Sequence, residues 1–89
     1  SGSTAERVGA AMKALSKHQQ VLTITHLSQV AAHGDQHWKV EKIQSDTTTN
    51  TTVTSLNDSE RVQEVARMLS GALITNAALK QAEVLLYSD

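Results

Sequence analysis

Of the four histidines, His26 is the best placed for chemistry. It closes the run Val21-Leu22-Thr23-Ile24-Thr25, whose β-branched, uncharged residues suit a short covered strand. Directly after it, Leu27, Val30 and Ala31 fall at helical spacing, and Gly34 ends that run. In open α/β sheets, ligands bind beyond the carboxyl ends of the strands, which is where this pattern puts the imidazole. A ring titrating near neutrality could donate to a bound phosphate or accept from an attacking water. Thr25 could add a hydroxyl donor, although a β-branched residue in a strand explains it as simply. A histidine here could equally close the strand end by bonding to backbone, and the residues alone leave both readings open.

The other reactive side chains form no constellation. His33 and His37 superficially resemble metal ligands, but Gly34 puts them on different elements and a third or fourth ligand is missing. They are expected to be solvent-exposed, and no metal site is expected. Ser16, Ser28 and Ser59 lack a nucleophile-elbow context. No G-x-x-x-x-G-K-[ST] phosphate loop occurs, and Gly71 reads as a helix C-cap. Glu60, Arg61, Glu64 and Arg67 read as a solvated helix face with i,i+3 and i,i+4 pairing.

The elements that must position His26 follow from patterning. Ser3 and Glu6 fit a capping box, opening a helix to about Lys17 with Val8, Ala11, Met12 and Leu15 as its apolar stripe. Lys13 and Lys17 suit the negative end of its dipole. Residues 18–20 lead into the strand 21–25. A helix feeding a continuously apolar strand marks a parallel-sheet unit, yet only one such strand is present. Its neighbours must come from elsewhere, so the chain reads as a piece of something larger. A short helix over 27–33 follows. Trp38 and Val40 then alternate with charges as in a half-exposed strand, and Ile43 predicts a bulge or an early end. Residues 46–50 form a polar turn, and 51–56 return as the second strand of a β-hairpin. Asn57 and Glu60 make a second capping box for a helix with Val62, Val65, Ala66 and Leu69 inward, stopping at Gly71. Thr75 or Asn76 caps a last helix that turns Ala78, Leu79, Ala82, Leu85 and Leu86 inward. The expected order is α-β-α-β-β-α-α, an α/β fold with one parallel-type strand and a hairpin, all of 1–89 forming one domain piece.

Composition narrows the classes. An 89-residue chain holds one small domain with little core to spare. It has no Cys, which excludes disulfides and thiolate metal sites and fits a reducing compartment. No apolar run is long enough for a membrane span or a signal peptide. The net charge of −1 and the lack of a basic stretch give no compositional argument for nucleic-acid binding. Trp38 and Tyr87 are the only large aromatics, so the core must be built of Val, Leu, Ile and Ala.

Three segments resemble a known family. Residues 24–32, Ile-Thr-His-Leu-Ser-Gln-Val-Ala-Ala, with Gly34-Asp35-Gln36-His37-Trp38 and Val40-Glu41-Lys42 beyond them, are similar to text of the RecN family of SMC-like, ABC-class ATPases. Residues 60–71 resemble its ERVxEIARMLGG segment, with Ser70 in place of the first Gly. Ser1-Gly2-Ser3-Thr4-Ala5 resembles the stretch trailing the Walker B strand, and the likeness covers essentially the whole chain. It implies a fragment of a P-loop ATPase head acting in double-strand break repair and recombination, with ATP and Mg²⁺ as cofactors of the parent protein. The implied partners are a second head and, through the parent, DNA, in the cytoplasm at the nucleoid and not at a membrane. By this resemblance His26 is the switch histidine that contacts the γ-phosphate and helps place the hydrolytic water, with Thr25 beside it. Ser1 and Gly2 match the tail of the loop that crosses between closed heads, Ser1 standing where other SMC-like heads carry Asp. Ser28 stands where the family commonly has Pro. The phosphate loop, signature motif, Walker B Asp and catalytic Glu lie outside these residues, so the fragment alone is expected to be inactive and to bind nucleotide very weakly. Exposed strand edges predict pairing with another copy, induced by truncation. The rival readings are a non-enzymatic α+β interaction module with a structural His26, or another SMC- or ABC-type head, against which residues 60–71 argue.

Overall fold

The computed structural model of this chain describes residues 2–88; Ser1, and the head-crossing role expected of it, lies outside them. Helix α1 (Gly2–Leu15) starts at Gly2, so Ser3 sits inside the helix rather than capping it. The Glu6 carboxylate, expected to reach back to the cap, instead meets His33 Nε2 at 2.8 Å. The helix is alanine-rich and propagates easily, then unwinds through hydrogen-bonded turns over residues 16–18. Its buried residues are Ala5 and Gly9, while Val8 and Leu15 of the expected apolar stripe remain exposed. Small residues win because they let the short helix α2 (Ser28–Ala31) come close.

Residues 21–25 are not a strand. They belong to no helix or sheet, and Leu22 and Ile24 are 82% and 95% exposed. A strand exists only through a ladder of N–H and C=O partners, and no described segment of this chain offers one here. The observed order is therefore α1-α2-β1-β2-α3-α4, a mixed helix-and-strand fold whose sheet is a single hairpin.

In that hairpin, β1 (Trp38–Gln44) runs antiparallel to β2 (Thr49–Ser55), with Val40 opposite Val53 and Gln44 opposite Thr49. The register is continuous through Ile43, opposite Asn50, so the expected bulge is absent from it. The turn closes through Ser45 N–H to the Thr48 carbonyl at 2.8 Å. Helix α3 (Asp58–Ser70) begins on the expected capping box: Glu60 N–H donates to Asn57 Oδ1 at 2.8 Å and Asn57 N–H to Glu60 Oε1 at 2.9 Å. It stops at Gly71, whose φ of 82° a residue with a side chain rarely adopts. Helix α4 (Asn76–Tyr87) is capped by Thr75, whose hydroxyl accepts from Ala78 N–H at 3.0 Å. Val65, Ala66, Ala78 and Ala82 form the buried core between α3 and α4, flanked by Val62, Ile74, Leu79, Leu85 and Leu86. Leu69 is left exposed at its margin. No helix among the described residues is long and apolar enough to cross a membrane.

Candidate functional site around His26

The turn that carries His26 is set by its predecessor. Thr25 Oγ1 accepts from the Leu27 N–H at 2.9 Å, a side-chain turn that brackets the histidine and delivers the chain to α2. Leu27 then starts the helix with extended backbone and no side-chain cap, its carbonyl accepting from Val30 and Ala31 at 3.1 and 3.0 Å. The imidazole of His26 is exposed and, among the described residues, makes no side-chain hydrogen bond. Gly2, at the start of α1, lies against the same short helix: a Cβ there would stand 3.4 Å from Gln29 Nε2. Gly2, Thr25 and His26 are thus all held around α2, with Thr25 fixing the backbone rather than lying in a strand.

Helix α2 is held from two sides. Against α1, a Cβ on Gly9 would fall 2.5 Å from His33 Cδ2 and 3.1 Å from the Gln29 carbonyl, so only glycine permits this approach. An ion pair between Lys13 and Asp35 and a hydrogen bond between Glu6 Oε1 and His33 Nε2 flank the contact. The Lys13 ammonium holds the Asp35 carboxyl below its ordinary range, first by hydrogen bonding and then by charge. From the other side, Arg61 of α3 donates through Nη2 to the carbonyls of Ala31 (3.0 Å), Ala32 (3.3 Å) and Gly34 (2.5 Å).

Arg61 and Glu64 are therefore not the solvated face their spacing predicts. The Glu64 side chain is 9% exposed and takes Arg67 Nε at 2.6 Å, Arg67 Nη2 at 2.8 Å and Lys39 Nζ of β1 at 3.4 Å. The Arg67 hydrogen bonds, then the charges of Arg67 and Lys39, lower its pKa against the opposing effect of burial. The same pairing raises that of Arg67. Both residues lie beside the apolar stripe of α3, Arg61 four residues before Val65, and that flanking position was the available sign of a half-buried role. His37 also departs from the expected exposure. It is half-buried beside Trp38, Val53 and Arg61, with its Nδ1 lacking a partner. Burial first, and the Arg61 charge second, lower its pKa below 6.5, with Glu64 opposing. His33 and His37 thus serve separate surroundings, and no group of three or more metal-capable side chains gathers among the described residues.

No family model matches the chain. Curated relatives do, and they are DNA repair proteins. The chain is 49% identical over 87 residues to a protein of Rickettsia conorii, covering 98% of this chain and 16% of the relative. It is 51% identical over 85 residues to one of Rickettsia bellii, covering 96% and 16%. With one of Haemophilus influenzae it shares 46% over 86 residues, covering 97% and 15%. All three are named DNA repair protein RecN, and this chain fits a fragment of RecN. It spans about one sixth of the length of these relatives.

Proposed function

We propose that this chain is the C-terminal part of a RecN-like DNA repair ATPase head, acting in double-strand break repair and recombination, with His26 as the switch histidine that senses the ATP γ-phosphate. The observation that carries the reading is the 46–51% identity to RecN proteins over nearly the whole chain. The site supports it. An exposed imidazole without an internal partner is free to donate to a phosphate oxygen or to accept from a water. Thr25, which already accepts from Leu27, keeps its own hydroxyl proton to donate. These residues fit a terminal-phosphate contact and no more: the sequence has no G-x-x-x-x-G-K-[ST] phosphate loop, and no group of three or more metal-capable side chains gathers among the described residues. Bound ATP supplies the phosphoanhydride that is cleaved. His26 holds the terminal phosphate and orients water at it, Thr25 keeps the turn in place, and Gly2 lines the surface offered to a second head. The phosphate cradle and metal ligands belong to the rest of the parent protein, which also supplies the DNA contacts, in the cytoplasm at the nucleoid.

The test is ATP turnover by the full-length parent at saturating ATP, with His26 intact and with His26→Ala. Loss of turnover on the order of 100-fold, with ATP still bound, is the expected result. Unchanged turnover overturns the switch role. The isolated chain should neither hydrolyse ATP nor bind it appreciably, and micromolar binding of labelled ATP to these 89 residues would contradict that.

A further inference from the structure

A single helical turn does not hold itself together, because it closes too few i→i−4 bonds to offset the cost of nucleation. Helix α2 is such a turn, and Leu27 gives it no side-chain cap. At its far end the Ala31 carbonyl accepts from the Gly34 N–H at 3.2 Å, but the partial negative charge of the last carbonyls still needs a cation. One guanidinium meets that need: Arg61 Nη2 donates to Ala31, Ala32 and Gly34, residues 27 to 30 positions earlier in the chain. A planar, weakly hydrated cation suits the task better than an ammonium, since it keeps its charge and direction when half-buried.

We propose that Arg61 is a positioning residue for His26, anchoring the far end of α2 to α3 and so fixing the turn that presents the imidazole. This rests on the γ-phosphate role proposed for His26. Arg61 sits at the opposite end of α2 from His26 and reaches the ring through that helix, not by direct contact. Helix α3 also reaches β1, where Glu64 meets Lys39 Nζ at 3.4 Å.

A double-mutant cycle in the full-length parent tests this, comparing His26→Ala, Arg61→Ala and the double variant by kcat and KM for ATP, with folding checked by circular dichroism. The expected result is a fall in kcat of about 10- to 100-fold for Arg61→Ala with KM little changed. The double variant should be no slower than His26→Ala alone, because a residue acting only through His26 loses its effect when the ring is gone. If Arg61→Ala does not fold, Arg61→Met, which keeps an apolar stem for packing but has no N–H to donate to a carbonyl, takes its place in the same cycle. Full additivity, or unchanged kcat for the Arg61 variant, overturns the positioning role while the His26 reading stands. Unchanged kcat for His26→Ala removes that reading itself, a different failure visible in the single variant.

Discussion

At the scale of the residue, His37 carries a cost that depends on acidity. Its pKa is depressed in the folded chain, by burial and by the Arg61 charge, relative to 6.5 for the free side chain. Below 6.5 the unfolded chain therefore binds the proton more readily, so stability is complete above that value and is lost as pH falls through the folded pKa. Urea unfolding at pH 7.5 and 5.5 should show a smaller loss for His37→Gln than for the parent chain; equal losses would exclude His37 as a contributor. Glu64 carries the opposite charge in a tighter place. Replacing it with Ala leaves Arg67 and Lys39 without their carboxylate but still partly open to water, and a loss of about 1–2 kcal/mol in denaturant unfolding is expected. The features legible from single residues were local ones. The Asn57–Glu60 box, the Thr75 cap and the Gly71 stop each need only neighbours within a few positions. The i,i+3 pairing of Glu64 with Arg67 was legible from spacing; the burial of Arg61, Glu64 and His37 was not, because it comes from α2 and β1 packing against α3, out of reach of spacing arguments.

At the scale of the element, the contact between α1 and α2 is governed by what α1 lacks. Gly9→Ala should gain helix propensity of about 1 kcal/mol. It must also push the His33 ring away from a Cβ at 2.5 Å and crowd a carbonyl at 3.1 Å, a cost of roughly 1–3 kcal/mol. The second effect wins, because the shifted ring also loses Glu6, so a lower melting temperature is expected for Gly9→Ala. Gly2→Ala, whose Cβ would meet only Gln29 Nε2 at 3.4 Å, should melt as the parent does. The hydrophobic stripe of α1 was readable, but its partner was not: burial followed the small face because α2 is the neighbour this chain provides. For the same reason residues 21–25 showed strand chemistry without becoming a strand.

At the scale of the whole molecule, the imbalance between buried and exposed apolar surface stands out. Val65 is the one large side chain fully buried among the described residues, whereas Leu22, Ile24, Trp38, Val40 and Val53 are all exposed. Exposed apolar side chains in this number favour association. Light scattering of the 89-residue chain should therefore show species heavier than a monomer as concentration rises, and Leu22→Ser with Ile24→Ser should shift them back. A monomer at every concentration would count against the idea. The reading of the chain as a piece of something larger started from the run 21–25 taken as a lone strand, which it is not; what supports that reading is the likeness to about one sixth of the RecN relatives.

The Arg61 contact has one more consequence. Helix α1 packs on α2, β1 pairs with β2, and α3 packs on α4, each within its own stretch of chain, and α2 meets α3 where Arg61 reaches across. The α1–α2 pair, joined to the hairpin and α3–α4 through α2 and Arg61, need not melt with them. Trp38 lies in the hairpin, so its fluorescence reports that part, while circular dichroism reports all the helices. The two unfolding curves should fail to superimpose, with α1 lost first.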